Sequence, residues 1–383
     1  MFTPRPYQTE AIEVAVSFFN SPDHYHAFEI LPTGSGKSVV IANIASRLEG
    51  KTIVFQPTKE ILEQNFRKFT ANGGRAGIFS ASAGTKFRDT VTFCTIGSVV
   101  RKPSLFRDFK NIIIDECDLV NADEGMYKRF IDAIPGAKVL GLTATPYRLQ
   151  SNLDGSLLRF INRSRPRLFS ECLYYIQNKV LFDAGHLAKL EYFDLEMIDR
   201  GRLQLNSTGS DFTEASVRAY YREIGMIGKT AEYANRLLLK RKNLLVFCQL
   251  VEEAKQVSAM VPGSAVVTGD TDPATRTRIL REFTSGRIRC LINVGVLTVG
   301  FDFPQLETIL IARSTVSLRL YYQIVGRVMR PHPEKQSGWV VDMGGNYKFF
   351  GRVEDLRINV NQKGLYSVWS DRRQLTDIPF TKN

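Results

Sequence analysis

Short β-branched runs alternate with segments of helical periodicity along most of the chain, which is the pattern of parallel sheets covered by helices. The runs predict strands over Thr52 to Gln56, Val91 to Ile96, Asn111 to Asp115 and Val139 to Leu142 in the first half. In the second half they predict strands over Asn243 to Cys248, Ala265 to Thr268, Arg289 to Val294, Thr308 to Ala312 and Trp339 to Asp342. Two α/β domains follow, over residues 1–150 and 226–345. Between them residues 151–225 break the rhythm and read as a connector, with an Arg-rich stretch, RFINRSRPRLF, and a polar loop, NSTGS, at 206–210. Residues 346–383 leave the pattern again as a C-terminal tail. The length agrees, because 383 residues at roughly 150 per domain make two to three domains.

Composition changes this picture little: 44% hydrophobic and 23% charged residues are ordinary for globular domains and exclude a disordered or collagen-like chain. Charge changes it more. With 51 Lys and Arg against 39 Asp and Glu, the net +12 favours a polyanionic partner. Residues 1–150 hold +3 of it and residues 151–383 hold +9. The five cysteines contain no Cys-x-x-Cys pair, so neither a zinc ribbon nor a disulfide framework is indicated, and a reducing compartment is expected. MFTPRPYQTE lacks the apolar core of a signal peptide, and no apolar stretch is long enough for a membrane span. A cytoplasmic protein without a membrane partner is therefore expected, which moves the charge argument toward nucleic acid.

The candidate chemistry starts at LPTGSGKS, residues 31–38, between the apolar run Phe28 to Leu31 and the helix-like VVIANIASRL. That is where a phosphate-binding loop belongs. Pro32, Thr33, Gly34, Ser35 and Gly36 would bring backbone N–H groups to phosphate oxygens, Lys37 would reach the β and γ phosphates, and Ser38 would ligate Mg²⁺. Leu31 departs from the small residue usual at the start of the pattern. NIIIDECD, residues 111–118, reads as a buried strand ending in carboxylates. Asp115 would hold Mg²⁺ through water and Glu116 would accept the proton of the attacking water. Together the two motifs specify nucleotide hydrolysis with ATP and Mg²⁺ as cofactors.

RPYQ (5–8), LPTGSGKS, PTKEILEQ (57–64), DECD, TATP (143–146), NVGVLTVGFDFP (293–304) and QIVGRVMR (323–330) fall in the order and spacing of superfamily 2 helicase motifs. The chain resembles that superfamily over nearly its whole length, and within it most resembles the RadD-type bacterial DNA-repair ATPases and related phage helicases. The resemblance implies two tandem RecA-like domains with the ATP site in the cleft between them. Arg5 and Gln8 match the Q-motif, and the Gln8 amide can donate and accept at the N6/N7 edge of adenine, favouring ATP over GTP. Gln323, Arg327 and Arg330 match motif VI. Their spacing puts them on one helical face, with Gly326 inside the helix and the arginines available as fingers for the γ-phosphate. The match also implies that Thr298 touches nucleic-acid phosphate, that Gly300 and Asp302 lie at the nucleotide, and that Thr143 and Thr145 couple hydrolysis to strand movement. Pro57, Thr58, Thr95, Gly97 and Gln249 correspond to the family's groove for one nucleic-acid backbone.

Two departures bear on substrate. Asp118 stands where the RadD-type proteins carry His and spells a DEAD-box RNA helicase motif, whereas TAT and the His-free opening of motif VI oppose that assignment. No Cys follows Cys290, so the RadD-type zinc region has no counterpart in the chain. In the Arg-rich stretch, Arg159, Arg163, Arg165 and Arg167 interleave with Phe160 and Phe169, either as a nucleic-acid contact or as a surface helix and turn with solvated arginines. The expected function is an ATP-dependent DNA helicase or translocase in repair, recombination or replication, acting as a monomer, with a DNA-repair or single-strand-binding protein as candidate partner. An RNA helicase, an ATP-gated DNA clamp and a restriction-system motor are the competing readings.

Overall fold

A computed structural model describes residues 3–23, 25–152, 155–298 and 300–378. The chain forms two compact units, one of residues 1–148 and 159–177, the other of residues 149–158 and 178–383.

The first unit contains α1 (Pro6–Asn20), β1 (Ala27–Ile30), α2 (Lys37–Arg47), β2 (Lys51–Phe55), α3 (Lys59–Ala71), β3 (Ala76–Ser80), β4 (Thr85–Lys86), β5 (Val91–Cys94) and α4 (Ile96–Val99). β6 (Phe109–Asp115), α5 (Met126–Asp132) and β7 (Lys138–Thr143) follow. β8 (Tyr147–Asn152) and β9 (Gly155–Phe160) pair as a ribbon most of which, residues 149–158, belongs to the second unit; the chain returns to the first at Arg159, ahead of β10 (Glu171–Tyr175). The eight-stranded sheet runs β10-β1-β7-β6-β2-β5-β3-β4 and is parallel throughout except at β4. Its central strands are apolar on both faces: Ile53 to Phe55 and Ile112 to Ile114 are fully buried. Every strand predicted from the apolar runs is present. The run at 91–96 stops at Cys94 because Thr95 already caps α4.

The second unit contains α6 (Asn178–Asp183), β11 (Leu190–Asp194), α7 (Glu214–Glu223), α8 (Met226–Leu238), β12 (Leu244–Cys248), α9 (Val251–Met260), β13 (Ala265–Val267), α10 (Pro273–Thr284) and β14 (Cys290–Asn293). After these come β15 (Thr308–Ala312), α11 (Leu318–Val325), β16 (Gly338–Asp342), α12 (Asn346–Phe350), β17 (Leu356–Val360), β18 (Tyr366–Ser370) and β19 (Arg373–Gln374). Its main sheet, β11-β16-β15-β12-β14-β13, is wholly parallel, and β17-β18-β19 form a small antiparallel sheet.

The expected boundaries need correction, because residues 151–225 do not form a separate connector. β10 extends the first sheet beside β1, and β11 extends the second beside β16. Phe160 and Phe169 are core residues whose rings lie 6.4 and 6.3 Å from that of Phe28 in β1. They are therefore unavailable for base stacking, and the segment between them is a turn carrying Arg165 and Arg167 on its surface. Nor is the tail independent. Fully buried Asn346 accepts from Thr315 N (2.9 Å) and donates to Arg313 O (2.8 Å) and Asp342 Oδ1 (2.9 Å), tying α12 to the ends of β15 and β16. The five cysteines are buried and unbridged. No helix among the described residues is long and apolar enough to cross a membrane.

Candidate nucleotide and nucleic-acid sites

In an open parallel sheet the loops at the carboxyl ends of the strands gather at one edge. β1 ends at Ile30, and Leu31 continues it by donating N–H to Thr143 O at 2.9 Å. Leu31 is fully buried, so the departure from a small residue is accommodated by the core. The loop then turns through Gly34 (φ 84°) and Gly36 (φ 82°), left-handed conformations that favour glycine, and α2 starts at Lys37. Pro32 and Ser35 are buried, while Thr33 and Ser38 are half-buried. Lys37 Nζ lies 3.5 Å from Glu116 Oε1 and 3.5 Å from Leu31 O, which holds its charge over the loop.

Glu116 follows β6 with φ 53° and ψ 52°, a left-handed backbone that costs a non-glycine residue about 1–3 kcal/mol. Its N–H donates to Asp115 Oδ1 at 3.1 Å. Asp115 is buried, and desolvation pushes its carboxyl up to about 7, with Glu116 adding to the rise and Lys37 opposing it. Asp115, the last residue of β6, and Ser38, in the first turn of α2, are oxygen donors of the kind a hard dication takes while retaining phosphate and water ligands. Among the described residues no three His, Cys, Asp or Glu side chains cluster as an all-protein metal cage.

The structure places the Q-motif against the phosphate loop. Gln8 Nε2 donates to Ser35 O at 2.6 Å, its Oε1 accepts from Arg5 N at 2.9 Å, and Tyr7 Oη donates to Ser35 O at 2.7 Å. Arg5 Nη1 in turn reaches Tyr7 Oη at 3.4 Å. A Cβ at Gly36 would come within 2.4 Å of Gln8 Nε2. Gln8 thus braces the loop, leaving one N–H and one lone pair for a base.

Sequence reasoning missed a role for Asp118, treating it only as a departure. Its carboxylate is buried and accepts from Thr143 Oγ1 at 2.7 Å and Thr145 Oγ1 at 3.2 Å, while Thr145 N donates to Thr143 Oγ1 at 2.9 Å. The end of β6 is therefore bonded to the end of β7. The available signal was a third carboxylate in DECD together with paired threonines in TAT.

The groove candidates of the first unit also follow strands. Pro57 follows β2, and Thr58 caps α3 by accepting from Ile61 N at 3.4 Å. Thr95 after β5 shares hydroxyl bonds with Ser80 (3.0 Å) and Ser98 (2.9 Å), and nothing lies within 4 Å of a Cβ placed on Gly97. In the second unit Gln249 follows β12, and Thr298, Gly300 (φ 81°) and Asp302 follow β14.

The motif VI expectation needs correction. α11 ends at Val325, and Gly326 is its cap rather than an interior residue; the chain then tightens into a turn through Arg327 N to Ile324 O and Val328 N to Val325 O. Gln323 is buried within α11, so Gln323, Arg327 and Arg330 do not share a helical face. Arg327 donates to Phe301 O and, at 3.2 Å, to Gln323 O. Arg330 Nε pairs with Asp302 Oδ1 at 2.9 Å.

Residues 1–148 match the family of the type III restriction enzyme res subunit, and residues 229–332 match the helicase conserved C-terminal domain. The chain belongs to the superfamily 2 helicases. This helicase chain is 25% identical over 337 residues to a 51.5 kDa protein of Lactococcus phage isolate 7-9, covering 84% of the chain and 66% of that protein. It is 23% identical over 341 residues to the ATP-dependent DNA helicase uvsW of Enterobacteria phage T4, covering 82% and 64%. The solved ATP-dependent Type ISP restriction-modification enzyme LlaBIII bound to DNA matches 88% of the chain with 27% of its own, at a TM-score of 0.64 and 17% identity. That likeness shows the fold, two tandem RecA-like domains. The chain spans less than two thirds of the length of both phage relatives.

Proposed function

We propose that this helicase chain hydrolyses ATP to move along or remodel DNA. The observation that carries the reading is the meeting, at one sheet edge, of the Gly34 to Gly36 phosphate cradle, Lys37 and the carboxylates of Asp115 and Glu116. Lys37 binds the β and γ phosphates, and Glu116 takes the proton of the attacking water. Asp115 and Ser38 hold Mg²⁺, which when bound neutralises phosphate charge. Arg327 and Arg330 of the second unit stabilise the γ-phosphate during turnover. Asp118 passes changes at Glu116 to Thr143 and Thr145, the start of the coupling to DNA held by Pro57, Thr58, Thr95, Gly97, Gln249 and Thr298. DNA is favoured over RNA because the T4 relative is described as a DNA helicase, and the role belongs to repair, recombination or replication. ATP turnover measured with single-stranded DNA, branched DNA and RNA tests the reading. Stimulation by DNA is expected, and stimulation by RNA alone would overturn the choice of substrate.

A further inference from the structure

Lys335 lies beyond the motif VI turn, in a region to which neither the sequence motifs nor the proposed mechanism gives a role. The residue is 7% exposed, and its ammonium donates to three backbone carbonyls: Pro304 O at 2.9 Å, Leu306 O at 3.1 Å and Val328 O at 3.2 Å. No carboxylate among the described residues pairs with it directly. Burial pushes the ammonium down to about 8; Glu307 opposes the shift, while Arg241 and Arg330 add to it. A buried cation satisfied by neutral acceptors is costly compared with an apolar side chain filling the same space, so its placement calls for a reason.

The three acceptors supply one. Pro304 and Leu306 belong to the turn that follows Asp302, and Val328 stands between Arg327 and Arg330. Gly338 closes the other side of Val328 O, where a Cβ would come within 2.6 Å. We propose that Lys335 is a positioning residue of the ATPase: its ammonium fixes the turn carrying Asp302 against the turn carrying Arg327 and Arg330. The Asp302–Arg330 pair, 2.9 Å apart, lies within the segments that the three bonds hold together. A turn tied to its neighbour presents its guanidinium in a narrower range of positions, and a misplacement of about 1 Å at such a group can cost about a hundredfold in rate.

This inference rests on the proposed ATPase, and the test separates the two. Wild type lacking DNA-stimulated ATP turnover would overturn the ATPase reading itself. With wild type active, Lys335→Met should keep the half-saturating ATP concentration within about threefold while kcat falls about ten- to a hundredfold. In an Arg327→Ala/Arg330→Ala background the same substitution should produce little further loss, because its effect runs through those side chains. A folded Lys335→Met protein with wild-type kcat, or an undiminished loss in the arginine-free background, would overturn the positioning role. If Lys335→Met does not fold, Lys335→Arg retains charge and donors but spreads the two turns. It should then lower kcat with little change in half-saturation, and wild-type kcat in that variant would overturn the proposal.

Discussion

Glu116 holds a strained left-handed backbone while its side chain faces Lys37 across 3.5 Å, so the strain is sustained by the strand before it and the turn after it. Glu116→Gln preserves the shape and removes the proposed base; it should retain ATP binding while turnover falls by at least about a hundredfold, as equilibrium binding and steady-state ATPase will show. A second carboxylate behaves differently. Glu29 in β1 is fully buried with neither carboxylate oxygen hydrogen-bonded, and burial raises its pKa well above 4.5. Below pH 4.5 the group is protonated whether folded or unfolded, and its contribution to stability is complete. As pH rises the unfolded chain ionises while the folded chain resists, and stability is lost by up to about 1.4 kcal/mol per pH unit until the folded group also ionises. Thermal unfolding of Glu29→Gln should therefore show a gain over wild type at pH 8 that disappears by about pH 4; a pH-independent difference would contradict this account.

At the scale of elements, the glycine turn before α2 and the central strands were legible because each is specified locally: glycines where φ is positive, continuous apolar runs where both sheet faces are covered. β10 and β11 were hidden because edge strands are only partly buried; in ECLYY only Cys172 is buried, and in LEYFD only Leu190. The end of α11 was misplaced because apolar residues continue past it, with Val328 and Met329 buried in the turn. Asp118 was misread because its partners Thr143 and Thr145 come from another strand, a contact that no local pattern reveals. The tail was underestimated for the same reason, since its anchors, the Asn346 amide and Val353 O accepting from Asn178 Nδ2 among them, join it to distant elements. Asn346→Ala would leave Thr315 N, Arg313 O and Asp342 without that partner. It should destabilise the second unit by about 3 kcal/mol or more in urea titration while the unfolding of the first unit is unchanged.

For the whole molecule, the net charge of +12 divides unequally, with +9 beyond residue 150 and the phosphate loop and Asp115–Glu116 before it. A nucleotide engages a few charges, whereas a nucleic-acid backbone engages many. If six to ten phosphates are contacted, DNA affinity should fall by about a thousandfold or more between 50 and 200 mM salt. Half-saturation by ATP should move far less, a contrast that paired anisotropy and ATPase titrations will reveal. Movement along DNA is what separates a motor from a clamp. Release of streptavidin from biotinylated DNA measures it most directly. ATP-dependent release by wild type and none by Glu116→Gln are expected; DNA-stimulated ATP hydrolysis by wild type without release would contradict movement and identify an ATP-gated clamp instead.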